Sequence, residues 1–314
     1  MVRRLLVVLG VVGCADPRPP VVEPAAPLVS TIEIPSLPPE TPFVELPSDE
    51  PPPPPPAPLP PEPYVPSSFA AQAHGHGRPI ILIPGVGCPG SVWDDTVAHF
   101  ADAETHVLTL AGFAGKPKLP GNKLIGETVR KELIRYIHAR KLKDAIIVGH
   151  SLGGFIAYWV GATAPDAVGG LVIVDAGPAL SDTDEATAKS LRNIWNQSGD
   201  EDFQEQIRNL FNGMISDPKK LAPYMDAVAK SDRRAVGDAI YEVVTTDLRE
   251  RVNEIRAPVL VVLADGGLQN QIKAQVAPIP DHEVVVVPGA HHFVMLDDPP
   301  KFYKVLDAFL AAHK

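Results

Sequence analysis

The stretch Ala145-Ile-Ile-Val-Gly-His-Ser-Leu-Gly-Gly154 decides the fold of this chain. Its apolar start is typical of a strand that is buried on both faces, and residues 155–164 continue as a helical stretch. The Gly-x-Ser-x-Gly pattern between them predicts a sharp strand-to-helix turn that holds Ser151 in a strained conformation. Side chains larger than hydrogen at Gly149 or Gly153 would collide with neighbouring backbone in such a turn. We therefore expect the Ser151 hydroxyl to be exposed at the edge of a sheet.

Short runs rich in β-branched residues recur on both sides of this turn and predict further buried strands. They are Ile80–Ile83, Val107–Leu110, Leu171–Val174, Val259–Leu263 and Val284–Val287. Helical patterns lie between them, one of them with Asn122 as its expected cap, and a last helix uses Phe302 to Leu310. Strands that alternate with helices indicate an α/β fold with a mostly parallel sheet flanked by helices. Functional residues are then expected at the carboxyl ends of the strands.

Residues 178 to about 256 interrupt this alternation with three or four helical stretches and no strand-like run. The stretches are Asp184–Trp195, Glu201–Ile215, Lys219–Ala229 and Arg234–Val244. A long helical excursion between two strands of one sheet favours a helical cap over the strand ends rather than an independent domain.

The sequence Gly-His-Ser-Leu-Gly-Gly at 149–154 resembles the nucleophile elbow of the α/β-hydrolase superfamily, and the resemblance covers roughly residues 69–314. It extends to residues 83–93, which are similar to the His-Gly-x loop of the family, with Pro84 in place of the usual histidine. The resemblance implies that Ser151 is the nucleophile. It also implies that the backbone N–H groups of Val86 and Leu152 form the oxyanion hole.

A serine hydroxyl needs a base within hydrogen-bond reach. The stretch 287–299 is similar to the histidine loop of the family and gives His292 the catalytic position, with His291 as the alternative. The acid is open, because the position where most members carry it is Gly267. Asp175 and Asp265 both follow a predicted strand, and either would give the order Ser, Asp, His. The one that is not the acid should be hydrogen-bonded or exposed.

The N-terminal part has the sequence pattern of an export signal followed by a spacer. Residues 1–13 combine two arginines with a short apolar run, which is too short to span a bilayer, and predict a signal peptide. Val11-Val-Gly-Cys14 resembles a bacterial lipobox and implies lipid attachment at Cys14; a plain cleaved signal is the alternative. Residues 14–67 contain 21 of the 36 prolines and predict a tether. We expect a lipid-anchored protein of the bacterial cell envelope, with the outer membrane favoured by Ala15.

Composition limits the remaining functions. The chain has 314 residues, is 45% apolar and carries a net charge of −10 without a basic run, so a nucleic-acid partner is not expected. No cofactor and no metal site are predicted; His74 to Gly77 are interpreted as the end of the tether, and Cys88 as a packing residue. The sequence favours a serine hydrolase of carboxylic esters or related small acyl compounds. The alternative is a lipid-tethered binding or spacer protein without turnover, and the sequence does not indicate the oligomeric state.

Overall fold

The structure, a computed structural model, describes residues 64–180 and 183–313. The predicted signal peptide 1–13, the lipid-attachment residue Cys14 and the tether up to residue 63 lie outside the described residues. The chain already packs against the core at Tyr64, so the folded part begins before the predicted end of the tether at residue 67. The backbone N–H groups and hydroxyls of Ser67 and Ser68 all donate to the carboxylate of Glu132 at 2.6 to 2.8 Å. These four hydrogen bonds hold the start of the folded part against the helix that carries Glu132.

The centre of the fold is one seven-stranded sheet. Its strands in chain order are β1 (Phe69–His74), β2 (Pro79–Ile83), β3 (Glu104–Leu110), β4 (Ile146–His150), β5 (Gly170–Val174), β6 (Val259–Ala264) and β7 (His282–Val287). Their order across the sheet is β1-β3-β2-β4-β5-β6-β7, and all pairs are parallel except β1 with β3. Every residue of β2, β4 and β5 is buried, which is why these strands read as continuous apolar runs. The six strands predicted from such runs, and the mostly parallel sheet, are confirmed.

Ten α-helices connect and flank the strands in the described part of the chain. They are α1 (Asp94–His99), α2 (Ile125–Arg140), α3 (Leu152–Thr163), α4 (Glu185–Gln197), α5 (Asp200–Asn212), α6 (Ala222–Val228), α7 (Arg233–Thr245), α8 (Gln269–Val276), α9 (Val294–Asp297) and α10 (Pro299–Ala312). None of the helices in residues 64–180 and 183–313 has both the length and the apolar character that crossing a bilayer requires.

The helices α4 to α7, residues 185–245, lie between β5 and β6, and we call them the cap segment. The prediction of one helix over residues 219–229 is wrong, because two separate elements lie there. They are a 3-10 turn at Pro218–Lys220 and, after it, α6, which begins at Ala222. Pro223 has no N–H to donate to the carbonyl of Lys219, so one continuous α-helix cannot form there.

The start of α2 corrects the predicted cap at Asn122. The helix begins at Ile125, and the N–H groups of Gly126 and Glu127 each donate to the carboxylate of Glu242 at 2.7 Å. Glu242 belongs to α7 and is completely buried. Burial raises the pKa of this carboxyl group to about 7. A carboxylate more than a hundred residues away along the chain thus supplies the cap that Asn122 was expected to provide.

Strand β1 was not predicted, and it corrects the interpretation of His74 to Gly77 as the end of the tether. The strand ends at His74, and the chain then turns towards β2 through Gly75 and Gly77, whose φ angles are +69° and +115°. A side chain at Gly75 would lie 2.2 Å from the carbonyl oxygen of Ala103. This segment is therefore a tight turn of the folded part, where glycine is required.

Candidate active site

Ser151 lies at the turn between β4 and α3, at the carboxyl edge of the sheet. Its backbone has φ +53° and ψ −118°, a conformation that side-chain-bearing residues rarely adopt. A Cβ atom at Gly149 would lie 2.2 Å from the carbonyl oxygen of Gly153, and one at Gly153 would lie 2.2 Å from that of Ile83. The two glycines of the motif are therefore required by close backbone contacts, and they let the helix begin directly after the strand.

The loop after β2 passes next to this turn. A Cβ atom at Gly85 would lie 3.2 Å from Cβ of Ser151, so the loop contacts the serine directly. Within the described residues, neither the N–H of Val86 nor that of Leu152 donates to a protein acceptor. Leu152 is the first residue of α3, and the N–H groups of a first helical turn have no acceptor inside the helix. The structure thus leaves both predicted donors unpaired beside Ser151.

His292 forms a hydrogen bond with one of the two candidate acids. Its Nδ1 lies 2.6 Å from Oδ2 of Asp175, and the two side chains are only 24% and 18% exposed. The other oxygen, Oδ1, accepts a hydrogen bond from the N–H of Ala264 at 2.9 Å. Because the carboxylate accepts from Nδ1–H, the neutral imidazole of His292 has its lone pair on Nε2. This tautomer is the one that can take a proton from a hydroxyl group.

Asp265, the alternative acid, is in a different position. Its side chain is exposed, and Oδ2 accepts a hydrogen bond from the N–H of Gly289 at 3.2 Å. Its own N–H donates to the carbonyl oxygen of Ala290 at 3.0 Å. Among the described contacts, none joins Asp265 to the imidazole of His292. Asp265 instead holds the loop that carries the histidine.

The Ser151 hydroxyl makes no hydrogen bond with another described residue, and its side chain is partly exposed. The His292 carbonyl oxygen lies 2.9 Å from Nε2 of His150, the residue before the serine, and the two imidazole rings are 4.7 Å apart. The backbone of the histidine loop is therefore hydrogen-bonded to the residue that precedes Ser151. Hydrogen bonds between catalytic groups commonly form only when substrate is bound.

His150 is a residue whose contact with the histidine loop the sequence did not indicate. It is 1% exposed, and burial lowers the pKa of its imidazole well below the ordinary value, with a further lowering by the nearby His292. His150 is thus neutral near pH 7. Since a carbonyl oxygen only accepts, its Nε2 carries the hydrogen and donates to His292. The residue predicted to pack in the core also fixes the backbone of the histidine loop.

Asp297 holds the same loop from the other side, and the sequence analysis did not identify it either. Its Oδ2 accepts from the N–H of His291 at 2.7 Å, and its Oδ1 accepts from the N–H of Ser216 at 3.0 Å. Ser216 follows α5 of the cap segment, and Lys220 donates from Nζ to the Asp297 carbonyl at 2.8 Å. Asp297 therefore connects the histidine loop with the cap segment.

Apolar side chains cover this region. Phe293, which follows His292, is buried and lies 5.7 Å from the ring of Phe211 in α5. A Cβ atom at Gly87 would lie within 3.7 Å of both Ile207 and Phe211, so α5 also contacts the loop that carries Val86. The sequence predicted a helical stretch here but did not indicate that it contacts the loop that carries Val86.

Other residues singled out in the sequence are structural. Cys88, which was interpreted as a packing residue, is 1% exposed, and burial raises the pKa of its thiol to about 12. His291 is exposed, so the histidine loop presents His292 and not His291 to Asp175. In residues 64–180 and 183–313, no group of three or more His, Cys, Asp or Glu side chains has the arrangement of a metal site.

Comparisons with known proteins agree with this architecture. The chain is 25% identical over 263 residues to the pimeloyl-[acyl-carrier protein] methyl ester esterase of Aliivibrio fischeri strain MJ11, an alignment that covers 77% of this chain and 97% of that protein. A thermophilic esterase from Thermogutta terrifontis has a TM-score of 0.69 at 19% identity, covering 78% of this chain and 94% of that chain. The enol-lactonase from Burkholderia xenovorans LB400 has a TM-score of 0.69 at 16% identity, covering 77% and 96%.

These two structures show that the fold is that of the α/β hydrolases, as the sequence predicted. The model of the alpha/beta hydrolase family matches residues 80–305, which is more than half of the chain and includes the serine turn, both candidate acids and the histidine loop. The chain belongs to the alpha/beta hydrolase family.

Proposed function

We propose that this protein is a serine hydrolase of carboxylic esters. The observation that carries the proposal is the hydrogen bond from Nδ1 of His292 to Asp175, which leaves Nε2 as a base next to the strained turn of Ser151. The unpaired N–H groups of Val86 and Leu152 support it, because two donors at one point stabilise an oxyanion. The similarity to an esterase that acts on a pimeloyl methyl ester favours ester substrates over amides.

In this mechanism, Oγ of Ser151 attacks the ester carbonyl carbon while Nε2 of His292 takes the hydroxyl proton. The carbonyl oxygen becomes an oxyanion that the N–H groups of Val86 and Leu152 bind, each stabilising the transition state by about 3 kcal/mol. The C–O bond to the alcohol then breaks, and the alcohol leaves with the proton from His292. The products of this half-reaction are the free alcohol and an acyl-Ser151.

Water completes the cycle. His292 takes a proton from a water molecule, whose oxygen attacks the acyl carbon, and returns the proton to Oγ of Ser151 as the carboxylic acid leaves. Asp175 keeps Nδ1 protonated and stabilises the imidazolium during both half-reactions. Phe211, Ile207 and Phe293 form the apolar surroundings in which a small, uncharged acyl group would bind.

The test is turnover by the full chain in detergent, compared with the Ser151→Ala variant and with Ser190→Ala as a matched control. Ser190 is an exposed serine of α4 whose hydroxyl donates only to the carbonyl of Ala186. We expect hydrolysis of p-nitrophenyl acetate and butyrate and labelling by a fluorophosphonate probe, both lost in Ser151→Ala and retained in Ser190→Ala. A folded wild-type protein that neither turns over nor labels would contradict the proposal and favour the tethered, non-catalytic protein.

The anchoring of the protein is proposed separately, on the sequence of residues 1–67 alone. We propose that Cys14 carries lipid and that residues 14–67 hold the hydrolase domain away from a bacterial envelope membrane, with the outer membrane favoured. Cells fed an alkynyl fatty acid should label the wild-type protein and leave Cys14→Ser unlabelled. Equal labelling of both would contradict lipid attachment at this cysteine.

A further inference from the structure

A cleft of about 390 Å³ lies between the loop after β3 and the cap segment. Its lining carries four cationic and two acidic side chains: Lys118, Lys230, Arg233, Arg234, Asp200 and Asp232. The cations come from two parts of the chain that are more than a hundred residues apart, so no basic run reveals them in the sequence. Folding brings them together on a chain whose net charge is −10.

Both acidic side chains already have partners. Asp200 forms an ion pair with Arg233. Asp232 caps α7, with Oδ1 accepting from the N–H groups of Arg234 and Ala235 at 2.9 and 3.0 Å. In the part of the chain that the structure describes, the side chains of Lys118, Lys230 and Arg234 have no anionic partner. We call these three residues the cationic set.

The cationic set lines a concave site rather than a flat surface. Like charges around a cleft add their potentials, which attracts small anions and favours a ligand that carries more than one negative charge. Ammonium and guanidinium groups together present many N–H donors and no acceptor, and this matches the oxygens of a phosphoryl group. The lining also includes the apolar side chain of Phe203 and the methyl group of Ala229, next to which an organic part of the ligand would lie.

One wall of the cleft is bonded to the loop that carries Val86. The hydroxyl of Ser231 donates to the carbonyl of Gly87 at 3.1 Å and accepts from the N–H of Ala114 at 3.0 Å. Gly87 is two residues from Gly85, which contacts Ser151, and two residues span at most about 7 Å. A ligand in the cleft would therefore lie next to the loop of the candidate active site.

We propose that this cleft binds a phosphoryl group through Lys118, Lys230 and Arg234. The group belongs either to the ester substrate, beyond its reacting part, or to free phosphate that acts on the loop through Ser231. The first alternative depends on the proposed esterase function, because it specifies the class of ester substrate. The second alternative is independent of that function. In both cases the phosphoryl group binds in the cleft and is not the group that reacts with Ser151.

The binding test uses the full chain and inorganic phosphate as the probe. Phosphate is titrated calorimetrically, with sodium chloride adjusted to keep the ionic strength constant, into the wild type, the variant Lys118→Gln/Lys230→Gln/Arg234→Gln and a control. The control, Lys143→Gln/Lys273→Gln/Lys304→Gln, removes the same charge from exposed lysines outside the cleft. We expect saturable phosphate binding to the wild type and the control, and a Kd that is at least tenfold higher in the cleft variant. No binding, or equal binding by all three proteins, would overturn the proposal.

The two sources are separated by kinetics with the butyrate esters of ethylene glycol and of ethylene glycol phosphate. If the phosphoryl group is part of the substrate, the ratio of kcat/KM for the phosphorylated to the neutral ester falls at least tenfold in the cleft variant and is unchanged in the control. If phosphate acts as a free effector, it changes the hydrolysis of the neutral ester by wild type but not by the cleft variant. If neither ester is hydrolysed, the proposed function is contradicted. The phosphate titration still tests whether the cleft binds a phosphoryl group.

Discussion

Replacing Asp175 by asparagine removes the negative charge under His292 and keeps the shape of the side chain. Asp175 has φ +47°, and asparagine tolerates this conformation better than most residues, so the backbone should be preserved. If the amide oxygen keeps the hydrogen bond from Ala264, the NH₂ group faces Nδ1 of His292. His292 must then hold its hydrogen on Nε2, where it cannot act as a base.

The expected loss follows from this change of tautomer. In a Ser-His-Asp site the Asp-to-Asn change lowers kcat by about 10³- to 10⁴-fold, which corresponds to about 4 to 5.5 kcal/mol of transition-state stabilisation. The matched variant is Asp265→Asn. Asp265 is exposed and accepts one hydrogen bond at 3.2 Å, whose loss costs at most about 1 kcal/mol, so kcat should fall less than about fivefold.

The assay is steady-state hydrolysis of p-nitrophenyl butyrate together with the rate of fluorophosphonate labelling, on proteins whose circular dichroism matches the wild type. KM should stay within a small factor in both variants, because neither residue contacts the apolar surroundings of the acyl group. A large loss in Asp265→Asn with a small loss in Asp175→Asn would refute the assignment of the acid. Equal, small losses in both would refute a carboxylate-dependent mechanism.

Three further outcomes are expected. The folded protein raises the pKa of Glu242 from 4.5 to about 7, so the protonated side chain stabilises the fold below pH 4.5. This contribution to the free energy of unfolding, about 3 kcal/mol, is lost as the pH rises through 7. Urea unfolding at pH 5 and pH 8 should show the decline, and the decline should be smaller in Glu242→Gln. Gly149→Ala, whose Cβ would meet a carbonyl oxygen at 2.2 Å, should prevent folding, while Gly266→Ala, with nothing within 4 Å, should leave the thermal midpoint nearly unchanged. Asp297→Ala should lower kcat more than Ser216→Ala does, because only Asp297→Ala removes the hydrogen bond to the backbone of the histidine loop. Equal losses of kcat would contradict this reasoning and would show that the contact between Asp297 and Ser216 is the one that affects turnover.

The strands show what the sequence could predict. A strand buried on both faces must be apolar, and β2, β4, β5 and β6 each contain such a short continuous run. Strand β7 is one edge of the sheet and is only partly buried, but its four valines at 284–287 give the same signal. Strand β1 lies at the sheet edge, pairs antiparallel with β3 and exposes most of its residues, so its sequence Phe69-Ala-Ala-Gln-Ala-His74 carries no such signal. The prediction was therefore right for the interior of the sheet and for the edge strand β7, and it missed the edge strand β1.

Contacts between distant parts of the chain mark the limit of the sequence. The cap of α2 comes from Glu242 in α7, and nothing near Ile125 indicates it. Likewise, the serine turn and the histidine loop have local patterns, but the choice between Asp175 and Asp265 depends on which carboxylate the folded histidine loop reaches. The sequence pattern predicts which side chains lie at the carboxyl edge of the sheet, but it does not predict which of them form hydrogen bonds with each other.

The contacts at the sheet edge also support the proposal that the acid follows β5. Ser151 follows β4 and Asp175 follows the neighbouring β5, so the two side chains leave the same edge. Ala264, at the end of β6, donates its N–H to Oδ1 of Asp175 and satisfies the oxygen that His292 does not use. The next residue, Asp265, binds the loop after β7 instead of the imidazole. With the proposed acid after β5, the end of β6 supports both Asp175 and the histidine loop, so the proposed arrangement of Ser151, His292 and Asp175 does not need a carboxylate at position 267.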